Sequence, residues 1–409
     1  MEEMELLDRI DAGGIRVATD IIDRLSVLER LRSRSAAEMY ELVFDILAVR
    51  RRERAAAGLP PSRWDAGVAA EVALAMSISP NRATAILSRA RALHDCLPHT
   101  LARLWDGDIS PERVEILIAG VAHLDADLRR RADALLCADP TVLAGLGTRR
   151  LQDMVFQVAY QLDRQAMVDR LAKAEAHRRV TIRPEPDAMA RVSILLPVAK
   201  AVAVFASLKR RADGIVGVGP EVRTRGQVMA DAAFELLTGR TAADGQPVSV
   251  NITVSDRVLL GGGTGTAHLA GGGAIPGEVA RNLVARAASR GEAWLRRLYV
   301  QPESGAVVGM DSRSRAFPDG LGALIAARDR TCRTPYCDAP IAHNDHVIPH
   351  AAGGETSIDN GQGLCAACNY AKQAAGWEQR VVDDPSGRHT VETITPTGAV
   401  HRSTAPDAA

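Results

Sequence analysis

Apolar residues recur every three or four positions through most of the first half of the chain, the spacing of helices that pack along one face. Met39, Leu42, Val43, Ile46 and Leu47 form one such stripe. Ser35-Ala-Ala-Glu38 precedes it with capping-box spacing, so a helix is expected to start there and run to about Arg54. Gly58-Leu-Pro-Pro61 breaks the pattern. Glu71 to Met76 and Pro80 to Leu93 read as two further helices around the link Ser77-Ile-Ser79, with Ser79 as N-cap and Pro80 at the first helical position. The same punctuation recurs at Ser110-Pro111, ahead of Val114, Leu117, Ile118 and Val121. Helical spacing resumes from Arg149 to Arg179, its charged neighbours reading as a solvated face. Arg191 to Leu196 and Val248 to Val254 then alternate or run apolar with β-branched residues and are expected as short strands. Ala212 to Gly226 and Leu260 to Gly277 are rich in Gly with few apolar anchors, so domain boundaries are expected there. From Arg402 the residues are small and polar, which predicts a frayed end.

Composition sharpens this picture. A chain of 409 residues exceeds the roughly 250–300 that one core usually serves, so two or three domains are expected. Hydrophobic residues at 46% and charged residues at 24% are those of a soluble, folding protein. Aromatics are only 3%, which leaves Ala, Leu, Val and Ile to build the cores and favours helices. The expected fold class is therefore mostly α with small β elements. The acidic start MEEMELLDRI has no signal-peptide character, and the longest apolar stretch, Val192 to Leu208, contains Pro197 and Lys200. A cytoplasmic protein without a membrane partner is expected.

Formal net charge is zero, so the whole molecule lacks the electrostatic footprint of a nucleic-acid binder. Any such contact must be local. The pair around Ser79 resembles a helix-turn-helix, with Asn81, Arg82, Ser88, Arg89 and Arg91 as polar candidates; a packed helical hairpin fits the same pattern and is the preferred reading. The run GGGTGTAHLAGGG lacks the Gly-Lys-Ser/Thr ending of a phosphate loop and reads as a flexible loop.

The chemistry concentrates between Cys332 and Lys372. Cys332 and Cys337 are separated by four residues, Cys365 and Cys368 by two, so each pair can reach one ion from a tight knuckle. Four thiolates make a closed tetrahedral site, which points to a structural Zn²⁺; a redox dithiol and four unrelated thiols are the competing readings. A segment this short cannot fold on apolar burial alone, and zinc supplies on the order of 10 kcal/mol. Between the knuckles, His343 to Ile348 reads as a strand, Gly353-Gly354 as a turn, Asn360 as the end of a loop, and Cys365 to Gln373 as a helix. The order is β, β, α with a metal.

In its Asp345-His346 pair, Gly353-Gly354, Asn360 and Cys-x-x-Cys-Asn-x-x-Lys ending, this segment resembles the four-cysteine branch of the HNH endonuclease family. The resemblance implies His346 as general base, Asp345 and Asn369 as ligands of a catalytic divalent ion such as Mg²⁺ or Mn²⁺, and Asn360 as the brace of the loop carrying the base. It implies Lys372 as a phosphate contact and DNA as the partner. With Asn369 where many members have a final His, the variant is HNN. An imidazole of pKa near about 6.5 suits a base at neutral pH, and a divalent ion offsets the phosphate's charge. Asp345 and His346, being neighbours on a strand, are expected on opposite faces unless the backbone twists. No small-molecule cofactor is implied. The alternative is a non-catalytic zinc module that binds DNA or protein.

The preceding region resembles the large helical domain of unknown function of actinobacterial thirteen-E-twelve repeat proteins, through Glu71 to Leu93, Leu104 to Ile118, Pro186 to Arg191, Ile275-Pro276 and Trp294 to Val308. The organisation expected is a helical domain over 1–212, a mixed continuation with Gly-rich loops over 213–318, the HNH domain over 319–378, and a hairpin with a disordered tail over 379–409.

Overall fold

The computed structural model describes residues 18–187, 189–216, 222–239, 252–260, 264–269, 273–288, 317 and 319–407. Trp294 to Val308, the first four residues of the expected strand Val248 to Val254 and parts of the two Gly-rich stretches lie outside the described residues. Helix α1 (Ala18–Ala56) opens the chain and is followed by α2 (Val68–Ala75), α3 (Pro80–Cys96), α4 (Pro98–Asp106), α5 (Pro111–Val121), α6 (Ala126–Cys137), α7 (Thr148–Leu162) and α8 (Arg164–Ala176).

The start of the first helix differs from expectation. Helix α1 runs straight through Ser35, because the upstream residues are good helix formers and already contribute buried Val27 and Ser33. A capping box acts only where the chain turns into a helix, and here it does not turn. At Ser79 the chain does turn: the Ser79 hydroxyl accepts from the Arg82 amide at 3.4 Å and Pro80 begins α3. Helix α5 likewise begins at Pro111.

These eight helices enclose one apolar core running from Ala37 to Met167, with Leu47, Leu93, Leu104, Leu117, Leu136 and Leu151 fully buried. The hairpin of α2 and α3 is packed into it through Val72, Ala83, Ile86, Leu87 and Ala90. Of its polar candidates, Arg89 pairs with Glu115 at 2.9 Å and Arg91 with Asp65 at 2.7 Å. Both guanidiniums are thus engaged inside the helical body.

Past the body, β1 (Arg179–Glu185) and β2 (Met189–Leu195) form an antiparallel ribbon in which Val180 faces Ile194 and Ile182 faces Val192. Helices α9 (Val198–Asp213) and α10 (Arg225–Thr238) pack on each other. A small sheet of β3 (Ile252–Thr253), β4 (Thr266–Leu269) and β5 (Gly273–Pro276) follows, with α11 (Asp256–Leu259) and α12 (Gly277–Ala288) beside it. Its core is Ala267, Ile275 and Ala280.

The last quarter is β-rich. Helix α13 (Asp319–Asp329) leads into a two-stranded sheet of β6 (His343–His346) and β7 (Gly361–Leu364), then α14 (Ala366–Lys372). A three-stranded sheet closes the chain, with β9 (Thr390–Ile394) between β8 (Glu378–Val382) and β10 (Val400–Thr404). The residues from Arg402 therefore do not fray as expected. Arg402 pairs in register with Glu392, and its side chain binds that carboxylate at 2.9 Å. The strand is polar because cross-strand charge pairing holds it to β9. Among the described residues, no helix is long and apolar enough to cross a membrane.

Gly67, just before α2, has φ +77°, and a β-carbon there would lie 2.7 Å from Trp377 Nε1 and 2.9 Å from Ala374 Cβ. Only glycine accepts both the turn and the approach. The segment after α14 thus rests directly on the helical body.

Candidate functional site

The sulfur cluster comes first, because it fixes everything else. Cys332, Cys337, Cys365 and Cys368 bring their Sγ atoms within 4.8 Å of one another. Cys337 and Cys365 stand 3.8 Å apart. Zinc–sulfur bonds of about 2.3 Å in a tetrahedron give a sulfur–sulfur edge of roughly 3.8 Å, so the spacing fits a Zn²⁺ ion. Hydrogen bonding with Cys337 and Cys368 pulls the Cys332 thiol down, while the bond with Cys332 pushes the Cys337 thiol up. Because both knuckles converge, Cys365 and Cys368 are half of a four-sulfur site rather than an isolated redox dithiol. Cys365 also caps α14, its sulfur accepting from the Cys368 amide at 3.4 Å.

Helix α13 packs on β6 and β7 and completes this unit. Leu321, Ile325 and Ile358 form its core with Phe317. Below them lies a buried ionic cluster that no local pattern announced. Arg328 binds Asp329 at 2.7 Å and donates to the Gly361 carbonyl at 2.6 Å, and Asp329 accepts from the Gly363 amide at 2.7 Å. Arg333 reaches on to the carbonyl of His389 at 3.0 Å, tying in the last sheet. Arg328 and Asp329 are paired with each other and hydrogen-bonded, the condition for burying charge. Gly361 is required at its position, since a β-carbon would meet Ile325 Cδ1 at 2.5 Å and the Ser357 carbonyl at 2.9 Å.

Strands β6 and β7 pair Asp345 with Gln362 and His346 with Gly361. Asp345 turns toward α14, where its Oδ2 lies 2.6 Å from Lys372 Nζ. His346 turns the other way and is buried. Its Nε2 is 2.7 Å from Thr356 Oγ1, and its ring centroid is 4.6 Å from that of Phe317 and 5.7 Å from that of His350. The two neighbours on the strand do occupy opposite faces. Lys372 bridges them by donating also to the His346 carbonyl. The ammonium is directed inward, toward Asp345.

Asn360 makes a closed set of contacts. Its Oδ1 accepts from the Ile348 amide at 2.8 Å, while Nδ2 donates to the carbonyls of Ile348 at 3.0 Å and Glu355 at 2.8 Å. One amide side chain thus clamps both ends of the loop that follows His346. Asn369 lies one turn before Lys372 on α14, and its Oδ1 is buried without a hydrogen-bond partner, while Asp345 Oδ2, also buried, is met by the Lys372 ammonium at 2.6 Å. A carboxylate and a bare amide oxygen are what a hard divalent ion takes as ligands. The donor set fits such an ion. His343 and His350 are both exposed; His343 lies edge-on to Tyr370 with ring centroids 6.4 Å apart.

A helical body joined to a thiolate-anchored ββα unit defines the class of protein. The chain belongs to the DUF222 family, described as a domain of unknown function, whose model matches residues 22–329, more than half its length. The model described as HNH endonuclease matches residues 332–375. Neither a curated protein nor a solved structure matches the chain. The seam between the two matches is notable: α13 falls within the first by sequence but builds the second by packing.

Proposed function

We propose that the protein is a metal-dependent DNA endonuclease that hydrolyses phosphodiester bonds at the HNH unit. The observation that carries this reading is the bare, buried Asn369 Oδ1 on the helix that meets Asp345, with the imidazole of His346 on the next residue of the strand. A phosphodiester repels hydroxide, so hydrolysis needs an activated water and a compensating positive charge.

His346 is the general base. Its Nε2 lies 2.7 Å from Thr356 Oγ1, which holds the ring in place, and the imidazole takes the proton of the attacking water. Asn360 holds the loop beside the base, so the imidazole's position does not depend on substrate. Asp345 and Asn369 would hold Mg²⁺ or Mn²⁺, which would supply positive charge to the phosphate and to the departing 3′ oxygen. Lys372 supplies a fixed positive charge beside Asp345 and draws the phosphate to this face. The four cysteines hold Zn²⁺ as a structural ion.

The domain division that goes with this reading is 1–212, 213–318, 319–378 and 379–409, with α13 counted in the nuclease unit. Membership in the actinobacterial thirteen-E-twelve repeat group and a cytoplasmic site of action complete it.

Purified, zinc-loaded protein is expected to nick supercoiled plasmid when Mg²⁺ or Mn²⁺ is added and to stop when a chelator removes that ion. Binding of DNA without cleavage under any divalent ion would leave the non-catalytic zinc module in its place.

A further inference from the structure

Among the described residues, the carbonyl-type side-chain oxygens buried with neither a hydrogen bond nor an ion pair are Asn369 Oδ1 and Gln362 Oε1; a third buried oxygen, Asp345 Oδ2, is met by the Lys372 ammonium. The three carbonyl-type oxygens all belong to one small unit. Buried oxygens of this kind are normally satisfied. Two bare amide oxygens in the unit that carries Asp345 point to a common partner absent from the polypeptide.

Gln362 is fully buried, and it sits directly across from Asp345 in the β6–β7 ladder. Cross-strand partners project from the same face of a sheet, so Gln362 shares the face on which Asp345 meets α14. Asn369 and Lys372 are three apart on that helix and therefore lie on one side of it. Since Lys372 Nζ is 2.6 Å from Asp345 Oδ2, that side of α14 is the one turned to the strands. The amide of Gln362 is also held in orientation. Its Nε2 donates to Gln379 Oε1 at 2.6 Å, and Gln379 Nε2 donates in turn to Thr393 Oγ1 at 3.0 Å. The relay from β8 and β9 engages the nitrogen end and leaves Oε1 turned from Gln379.

We propose that Gln362 Oε1 is a third oxygen donor to the divalent ion held by Asp345 and Asn369. This rests on the nuclease reading and adds to it a ligand from β7. One carboxylate and two neutral amides make a site of low charge, which binds a hard ion and leaves positions for water and phosphate. It also separates the two metals by chemistry: thiolates select Zn²⁺, and an all-oxygen set selects Mg²⁺ or Mn²⁺.

The test is Mn²⁺ binding to the zinc-loaded full chain, followed by the electron paramagnetic resonance of free Mn²⁺, with no DNA present. The wild type is expected to bind one Mn²⁺, and Asp345→Asn to abolish binding. Gln362→Met, which keeps the volume but removes the oxygen, is expected to weaken binding about tenfold. Gln362→Glu is expected to tighten it about tenfold. Zinc content and melting temperature accompany each measurement. If Gln362→Met disturbs the fold, the direction of the Gln362→Glu change decides, because weaker binding there means that the amide nitrogen faces Asp345. Affinities of both Gln362 variants within twofold of wild type, with Asp345→Asn still abolishing binding, overturn this ligand and leave the nuclease reading intact. A wild type that binds no Mn²⁺ overturns both.

Discussion

In the helical body, side chains from α1 through α8 share one core in which Leu47, Leu93, Leu104, Leu117 and Leu136 are all fully buried. The cluster at the knuckles of the nuclease unit consists of Cys332, Cys337, Cys368 and Leu364, with Ala339 and Cys365 at its margin. The first region spreads its stability over many interchangeable apolar contacts, so the loss of one is graded. The second concentrates it in four sulfurs and a few buried hydrogen bonds, so the loss of one is decisive. The difference follows from size: a unit of about fifty residues has too little apolar surface to fold without a staple.

The comparison is broken most severely by removing zinc. Cys368→Ser, or chelation of zinc, is expected to unfold the region from α13 to β10 with a loss on the order of 10 kcal/mol. Most of the far-ultraviolet helical signal should persist, because α1 to α8 contain none of the ligands. Circular dichroism together with zinc analysis checks this, and global unfolding of the body would refute the separation. Leu104→Ala, in the body, is expected to cost about 2–5 kcal/mol in thermal stability with zinc content unchanged. Acid provides the smallest effect. Burial, reinforced by the charge of Arg328, pushes the His389 imidazole down to about 4. The fold therefore prefers neutral His389, whose ordinary value is near about 6.5. Its contribution is fully present above that value and is lost as pH falls from about 6.5 toward 4, by about 2–3 kcal/mol. Because His389 Nε2 lies 2.7 Å from the Asp359 carbonyl, the acid effect should appear in the nuclease unit. His389→Phe should flatten the pH dependence of its melting between pH 4 and 7.

What could be read in advance divides along the same line. The mostly helical class, the starts at Pro80 and Pro111 and the convergence of the four cysteines were legible, because each is written in local spacing. Ser35 misled, since a capping box describes what a helix start needs and not whether the chain turns there. Arg402 misled too, because its partner Glu392 lies on another strand. The Arg328-Asp329 cluster and the Gln362–Gln379–Thr393 relay were invisible for a related reason. Apart from the adjacent Arg328 and Asp329 themselves, the partners are 14 to 34 residues distant, and polar residues at such positions read as surface until the fold buries them. Asp345, His346, Asn360 and Asn369 were legible only through resemblance to a known family; the roles proposed for them rest on chemistry still to be measured.

The account's central claim is that His346 activates the water that cleaves DNA. The direct measurement compares the rate of plasmid nicking by wild type and by His346→Ala in Mg²⁺ or Mn²⁺, on preparations matched for zinc content. The account predicts that cutting disappears in the variant while zinc content and melting remain those of the wild type. Equal rates in the two preparations would contradict it.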